Sequence, residues 1–512
     1  MSKVVIHPKK KKNPRILVVT PEITYLPGGM GNMANHLKAK AGGLADVSAS
    51  LVSALFRQGA DVHVALPNYR QLFRVDVNSL ISREFRVYLA HLSDSRVHLA
   101  EDRIFYYRDS VYSHQSAESL RVALAFQREV INNIIPRVNP DLIHCNDWMT
   151  GLIPAMARRM GIPCLFTVHN IHTQKTTLSA IEDRGIDAAA FWKELYYDRQ
   201  PVNYEETRDG NPVDMLASGI FAAHFINTVS PTFLEEVVRG WFDFIPDAVR
   251  QEIRGKYHAG CASGILNAPD DNQTPERDPA LPVNYDAVTH RAAKRRLKTI
   301  FQKRTGLRED PGAPLFFWPS RLDPAQKGCQ LLADILYQVL DRYHASGLQV
   351  ALVADGPFQE VFRRIRDFHG LGSRLAVCDF DNALSQLGYG ASDFMLMPSL
   401  FEPCGLPQMI CQKYGSLPLV HNTGGLHDTV EMLDWEQHIG NGFIFDDYNP
   451  AALSWAVDRA MDFYRAPAAV REKEIARIMN SAARRFNHDV TAEAYIRTYE
   501  EMLHCPLVID RD

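Results

Sequence analysis

The chain has 512 residues, 46% of them apolar, and a formal net charge of −4. That is enough apolar material for more than one buried core, too little positive charge for a protein that works by neutralising nucleic-acid phosphates, and no apolar run reaches the roughly 18 residues of a membrane span. The eight cysteines are scattered, with no C-x-x-C pair, which suits a reducing, cytoplasmic setting where reduced Cys packs as a small hydrophobe.

Residues 1–14 contain Lys9, Lys10, Lys11 and Lys12 and no signal-peptide core of useful length; they are expected to form a disordered basic tail. Residues 16–20 are a short β-branched run. Residues 46–57 then carry apolar side chains at helical spacing (Val47, Leu51, Ala54, Leu55), with Asp46 placed to cap the helix and Gly59 to end it. Residues 61–66 read as a second strand, so the segment is a βαβ unit with a right-handed crossover. Residues 142–144, 164–168 and 225–229 continue the strand pattern, with a helix over 152–160.

Residues 272–290 turn polar and Pro-rich and read as a connection between two lobes. The alternation then restarts. Strands are expected at 315–318, 350–354, 375–378, 394–397 and 417–420, and helices at 329–344, 358–369 and 382–390. Residues 451–505 are helical and carry Tyr495 and Tyr499 at i, i+4 spacing. Two such arrays predict an α/β chain of two doubly wound, Rossmann-like lobes, with ligand in the interlobe cleft at the carboxyl ends of the strands. The boundaries read from the pattern are 15–280 for the N-terminal lobe and 281–485 for the C-terminal lobe. Residues 486–512 are expected to be a helix crossing back to the first lobe.

Candidate chemistry collects at those strand ends. Phe401-Glu402-Pro403-Cys404-Gly405-Leu406 follows the strand at 394–397, so a carboxylate stands beside a glycine that lets backbone approach a ligand closely. A helix from Gln408 to Tyr414 would add free N–H groups for an anion. Lys40-Ala41-Gly42-Gly43 leads into the first helix and is either a phosphate- or sugar-approaching loop or a plain turn. Asp147 and Trp148 follow the strand at 142–144. His169 and Asn170 follow 164–168, as functional groups or as structural ones. Asn267 is a polar stop to an apolar run. Arg321 and Lys327 share one strand-to-helix loop, where they can clamp a diphosphate or stand as two surface cations. Phe380 can stack on a nucleobase or plug a core. Asp379-Phe380-Asp381 has the spacing of a metal-binding D-x-D pair. That reading is set aside, because Arg321 and Lys327 already supply positive charge.

Taken in order, residues 40–46, Asp147-Trp148, Thr167-Val168-His169-Asn170, Thr228-Val229-Ser230-Pro231, Gly264 through Asn267, Ser320-Arg321-Leu322, Gln326-Lys327-Gly328, residues 401–406 and Thr423-Gly424-Gly425-Leu426 resemble the bacterial glycogen synthase and plant starch synthase family over roughly residues 16–505. The resemblance implies the two-lobed GT-B fold and a retaining glycosyltransferase. The family transfers glucose from a nucleotide sugar, ADP-glucose more often than UDP-glucose, to the non-reducing end of an α-1,4-glucan, with no metal and no cofactor. It also implies roles. Arg321 and Lys327 would hold the diphosphate, Glu402 the donor-sugar hydroxyls, and His169 the glucose near its reacting carbon. Lys40, Gly42, Gly43, Asn267, Cys404, Gly405 and Leu406 would line the donor side, and Phe380 stands where the family has a base-stacking Tyr. Asp46, Asp147 and Asn170 would lie toward the acceptor.

The chain departs from the family pattern at several points. It has extra material over 26–37, a lid or a longer surface loop, and its Arg321–Lys327 loop reads as one residue longer. Met149 replaces His, His172-Thr173-Gln174-Lys175 replaces Ala-Tyr-Gln-Gly, Ala268 replaces Gly and Pro407 replaces Thr. These changes leave open a GT-B glucosyltransferase with a different small or oligosaccharide acceptor, or a non-catalytic glucan- or nucleotide-sugar-binding relative.

Overall fold

The computed structural model describes residues 12–30, 37–40, 43–73, 96–113 and 115–508. Most of the basic tail, Gly42 and positions 31–36 of the extra loop lie outside the described residues. The chain divides into two compact units, one running to residue 229 and including 236–265 and 491–512, the other formed by 230–235 and 266–490.

The first unit is built on a parallel sheet of seven strands: β1 (Arg15–Val19), β2 (Asp61–Pro67), β3 (Val97–Ala100), β4 (Leu142–Asn146), β5 (Cys164–Val168), β8 (Phe225–Thr228) and β9 (Ala262–Gly264). The two-residue strands β6 (Lys175–Thr176) and β7 (Val213–Asp214) pair apart from it. Strand order is β3-β2-β1-β4-β5-β8-β9. β1 pairs with β2 on one side (Ile16 opposite Val62) and β4 on the other (Ile16 opposite Leu142). The chain leaves β1 in one direction and returns on its far side, so the strand order reverses between β1 and β4. Loops diverge there and leave a crevice at the carboxyl ends.

The core of this unit is not wholly apolar. His144 Nδ1 meets the Tyr499 hydroxyl at 2.8 Å and His144 Nε2 meets Thr167 Oγ1 at 2.7 Å. Thr167 donates to Asn227 Oδ1 at 2.6 Å, and Asn227 donates to the Tyr495 hydroxyl at 3.1 Å. The helix His488–Leu503 is therefore tied to β4, β5 and β8 by a closed polar chain, every member of which is buried. Burial pushes the His144 imidazole down to about 3, so it is neutral.

The second unit has six parallel strands in the order β12-β11-β10-β13-β14-β15: β10 (Leu315–Trp318), β11 (Gln349–Val353), β12 (Leu375–Cys378), β13 (Phe394–Met397), β14 (Leu417–His421) and β15 (Phe443–Phe445). Alternate residues serve different cores. Phe316, Trp318, Val350, Leu352, Phe394 and Leu396 join one cluster, and Leu315, Phe317, Ala351, Val353, Met395 and Met397 join the other. Both faces are covered, which is why these strands read as unbroken apolar runs. Here β10, the first strand of the sheet in sequence, is flanked by β11 and β13. The order reverses between β10 and β13.

Three local expectations change. The helical stretch at 451–505 is three helices, Pro450–Arg465, Ala468–Arg485 and His488–Leu503; Pro467 separates the first two because its ring cannot continue a helix. The first helix begins at Gly43, so Asp46 lies inside its first turn and does not cap it. The helix after the 401–406 loop is Pro407–Lys413, one residue earlier than the pattern predicts and only seven residues long. Among the described residues no helix is long and apolar enough to cross a membrane.

Candidate active site

In the second unit the loops after β10 and β13 are joined side chain to side chain. Asp323 accepts from the N–H groups of Ala325 and Gln326 at 2.9 and 3.2 Å, a tight turn that re-aims the chain. Leu400 N–H then donates to Gln326 O at 2.8 Å and Gln326 Nε2 to Phe401 O at 3.3 Å. This places Lys327 Nζ 2.5 Å from Glu402 Oε2, with both side chains about nine-tenths buried. Ser399 Oγ donates to the same carboxylate oxygen at 3.1 Å. Gly328, at φ +73°, permits the approach: a Cβ there would stand 1.9 Å from Pro398 O. The longer loop therefore still delivers the lysine to the carboxylate.

Arg321 is exposed and lines a cavity of about 540 Å3 with Pro319, Asp355, Pro357 and Phe380. Phe380 is 53% exposed, so it is no core plug; its N–H donates to Asp355 Oδ1 at 2.9 Å, which fixes where the ring leaves the chain. The neighbouring carboxylates are used otherwise. Asp379 pairs with Arg363 at 2.7 Å, and Asp381 caps the helix Asn382–Ala391 through Leu384 N–H at 2.6 Å.

The 401–406 loop has a defined polarity. Cys404 is buried and its thiol is pushed up to about 12 by burial, so what this residue can offer a ligand is backbone. Gly405 has φ +71°. Gly425 N–H donates to Glu402 O at 2.9 Å, and a Cβ on Gly425 would lie 2.0 Å from Cys404 O. Asn267 is buried and its Oδ1 has no partner among the described residues. The helix that follows this loop, Pro407–Lys413, is seven residues long, and Pro407 at its first position removes one backbone donor.

In the first unit, Asp147 carries the informative geometry. It follows β4 at φ +58° and ψ 178°, a conformation a non-glycine residue holds only under constraint. The constraint is visible: its N–H donates to Thr167 O at 3.0 Å, Oδ1 accepts from His169 N–H at 2.7 Å, and Oδ2 from Asn170 Nδ2 at 3.2 Å. Burial pushes the carboxyl up to about 7 against the pull of those N–H bonds. His169 Nε2 lies 2.9 Å from Asn146 Oδ1, and burial pushes the imidazole down to about 3. A neutral imidazole and a carboxyl near its midpoint thus stand together at the ends of β4 and β5.

Lys40 Nζ is 2.6 Å from Asp46 Oδ2, whose other oxygen accepts from Thr24 Oγ1 at 2.5 Å. Asp46 therefore anchors the loop after β1, and Gly43 opens the helix that carries it. Sequence reasoning missed Asn146, Ser399 and Glu22. Glu22 is buried two residues beyond Thr20, accepts from the Tyr112 hydroxyl at 3.2 Å and helps to raise Asp147. A carboxylate straight after a buried strand was the available signal.

The departures from the family pattern divide by burial: His172 and Lys175 are exposed, and Thr173, Gln174 and Pro407 are half-buried. Met149 and Ala268 are buried. Thr173 Oγ1 donates to Asp214 Oδ1 at 2.7 Å and accepts from Leu216 N–H at 3.1 Å, a packing role at the start of the helix Met215–Ala222.

Known proteins are similar to this chain over most of its length. The starch synthase catalytic domain family matches residues 15–249 and the glycosyl transferases group 1 family matches 313–462. A glycogen synthase of Exiguobacterium sibiricum is 33% identical over 83% of this chain and 89% of its own length. One of Moorella thermoacetica is 32% identical over 96% and 97%. The catalytic domain of starch synthase IV from Arabidopsis thaliana, bound to ADP and acarbose, superposes with a TM-score of 0.75 at 24% identity, covering 96% of this chain and all of that one. With two doubly wound sheets and relatives of this closeness along nearly the whole sequence, the chain belongs to the glycogen and starch synthase family of GT-B glycosyltransferases.

Proposed function

We propose that this protein transfers glucose from ADP-glucose to the non-reducing end of an α-1,4-glucan with retention of the anomeric configuration. The observation that carries the assignment of residues is the Lys327–Glu402 contact at the reversal point of the second sheet. It sets one fixed cation and one fixed carboxylate where a diphosphate and the sugar attached to it need opposite partners. Lys327 and Arg321 take the diphosphate as charge develops on it. Glu402, held by Ser399, accepts from the glucose hydroxyls, and binding breaks its 2.5 Å contact with Lys327, freeing the ammonium for phosphate. Phe380 stacks on the base in the cavity beside Arg321.

His169, kept neutral by burial, donates or accepts a hydrogen bond without adding charge next to the reacting carbon. Asp147, with Asn170, serves the acceptor hydroxyl. Nucleophilic attack by an enzyme carboxylate is not required: in a front-face transfer the leaving phosphate oxygen takes the acceptor proton. Glycogen or starch is the favoured acceptor over a small glucoside, because the relatives along most of the chain are glycogen synthases, and Met149, Thr173 and Ala268 alter packing. A cytoplasmic setting fits the eight free thiols.

The test is incorporation of label from ADP-glucose and from UDP-glucose, with glycogen and with small glucosides, for the wild type, Glu402→Ala and Lys327→Ala. Polymer extension lost in both variants is expected. Extension that survives both unchanged refutes the site, and a glycosyl adduct trapped on a carboxylate refutes the front-face route.

A further inference from the structure

Gln408 is fully buried, one residue into the helix Pro407–Lys413, and nothing in the reaction uses it directly. Its Nε2 donates to Cys404 O and to Gly405 O, each at 2.9 Å, and contacts Thr429 Oγ1 at 3.1 Å. Thr429 in turn donates to Gly425 O at 2.5 Å. In a trans peptide the C=O of one residue and the N–H of the next point in opposite directions, and the described chain has no cis peptide. Pulling Cys404 O inward therefore turns Gly405 N–H outward, and pulling Gly405 O inward turns Leu406 N–H outward. Neither of those N–H groups has a partner among the described residues, and both residues are partly open to solvent. Gly405 at φ +71° followed by Leu406 at φ −107° makes the alternation in which successive N–H groups converge on an anion.

Resting on the donor-side reading above, we propose that Gln408 is the positioning residue of the diphosphate site: its carboxamide locks two peptide planes so that the Gly405 and Leu406 N–H groups are preset toward the leaving diphosphate. Its Oε1 completes the lock from the other side. That atom has no hydrogen-bond partner and would lie 2.5 Å from a Cβ on Gly405, so it fills the space a side chain there would take. The lock removes the cost of reorienting peptides when charge develops.

A matched control lies one turn away. Gln412 is equally buried on the same helix; it donates to Thr429 O at 3.3 Å and accepts from Asn441 Nδ2 at 3.0 Å, and touches no carbonyl of the 401–406 loop. Gln408→Met and Gln412→Met are expected to lower thermal stability comparably. Only Gln408→Met weakens ADP binding, by about tenfold or more, the scale of losing aligned charge-assisted hydrogen bonds, with adenosine binding unchanged and KM for ADP-glucose rising with it. If Gln408→Met is too unstable to purify, Gln408→Leu removes the donors without adding charge and gives the same ADP-to-adenosine contrast. ADP affinity within twofold of wild type in the Gln408 variant, or an equal loss in Gln412→Met, overturns the proposal while leaving the donor reading intact. A wild-type protein that binds adenosine and ADP equally overturns the donor reading and this proposal together.

Discussion

Replacing Lys327 by Met tests the buried pair most directly. At 2.5 Å the two charges attract by about 7 kcal/mol at an effective dielectric near 20, most of it offset by the desolvation of both groups. The net worth of the pair is therefore small. The cost of breaking it is not, because Glu402 is then left nine-tenths buried with Ser399 Oγ as its remaining side-chain donor. Lys327→Met should cost about 3–5 kcal/mol of local stability, and Glu402→Gln somewhat less, since Lys327 is the more exposed partner at 11% against 8%. Lys327→Met with Glu402→Gln should cost less than the two singles added, with a coupling of about 2–3 kcal/mol.

Because the chain has two compact units, a single global unfolding curve is a poor measure. Amide hydrogen exchange of the peptides containing β10 and β13 reads the local opening energy instead. All three variants should lose at least about a hundredfold in transfer rate, so stability and activity separate in the double variant alone: stability partly restored, activity absent. A Lys327→Met protein whose β10 and β13 peptides exchange as in the wild type, with no coupling in the double variant, would refute the buried ion pair as the organiser of this site.

Other perturbations have equally definite signs. The Asp147 carboxyl is raised to about 7 in the fold, so the stability its protonated form contributes is present below about 4 and lost as pH rises through 7; His144 and His169, pushed down to about 3, act in the opposite sense, gaining as pH rises toward 6.5. The melting-temperature difference, Asp147→Asn minus wild type, cancels the histidines and should grow more positive from pH 5 to pH 8; a flat difference contradicts the raised carboxyl. Gly425→Ala should cut activity about a hundredfold or more, because its Cβ would sit 2.0 Å from Cys404 O and must displace the loop, whereas Gly161→Ala, with nothing within 4 Å, should cost only about 1 kcal/mol for its positive φ and keep its rate. Lys294 Nζ donates to Gly390 O, Ser392 O and Tyr414 O at 2.9–3.0 Å in a buried site; Lys294→Met removes that donor from Gly390 O and Ser392 O, while Tyr414 O keeps the Tyr285 hydroxyl at 2.8 Å, and should lose about 2 kcal/mol or more, seen as faster exchange in the peptides around 390.

The sheets were legible because their strands are covered on both faces. A strand such as β10, Leu-Phe-Phe-Trp, has no exposed alternate position to interrupt it. The strands that escaped notice are short or interrupted: β6 and β7 have two residues each, β9 is Ala-Ser-Gly and half-buried, β15 is three residues, and β3 alternates with His98. Helix limits failed where a proline or a loop anchor decided them. Asp46 has the composition of a cap and the position of an anchor for Lys40, and only the start of the helix at Gly43 distinguishes the two. The identities of the site residues were legible as polar stops to apolar runs. Their partners were not. Glu402 and Lys327 are 75 residues apart, and no local pattern relates a loop after one strand to a loop after another until the strand order is known.

Strand order supplies the missing relation. In each sheet one strand, β1 or β10, is paired on both sides by the strands that begin the two opposite windings. The loops leaving that strand and its second neighbour turn to opposite faces, so neither can cover the carboxyl ends between them. Side chains there can be buried by their own loops yet remain reachable from the crevice. Lys327 and Glu402 come from one such pair of loops, and Lys40, Glu22 and Asp147 from the other. His169 follows β5, one strand out from β4, and Phe380 follows β12, two strands out from β10. A charged residue in the loop after either strand of a reversal point therefore weighs more as a functional candidate than the same residue elsewhere along the sheet. Asp379 meets the D-x-D spacing and pairs with Arg363 at 2.7 Å, on the loop after the edge strand β12.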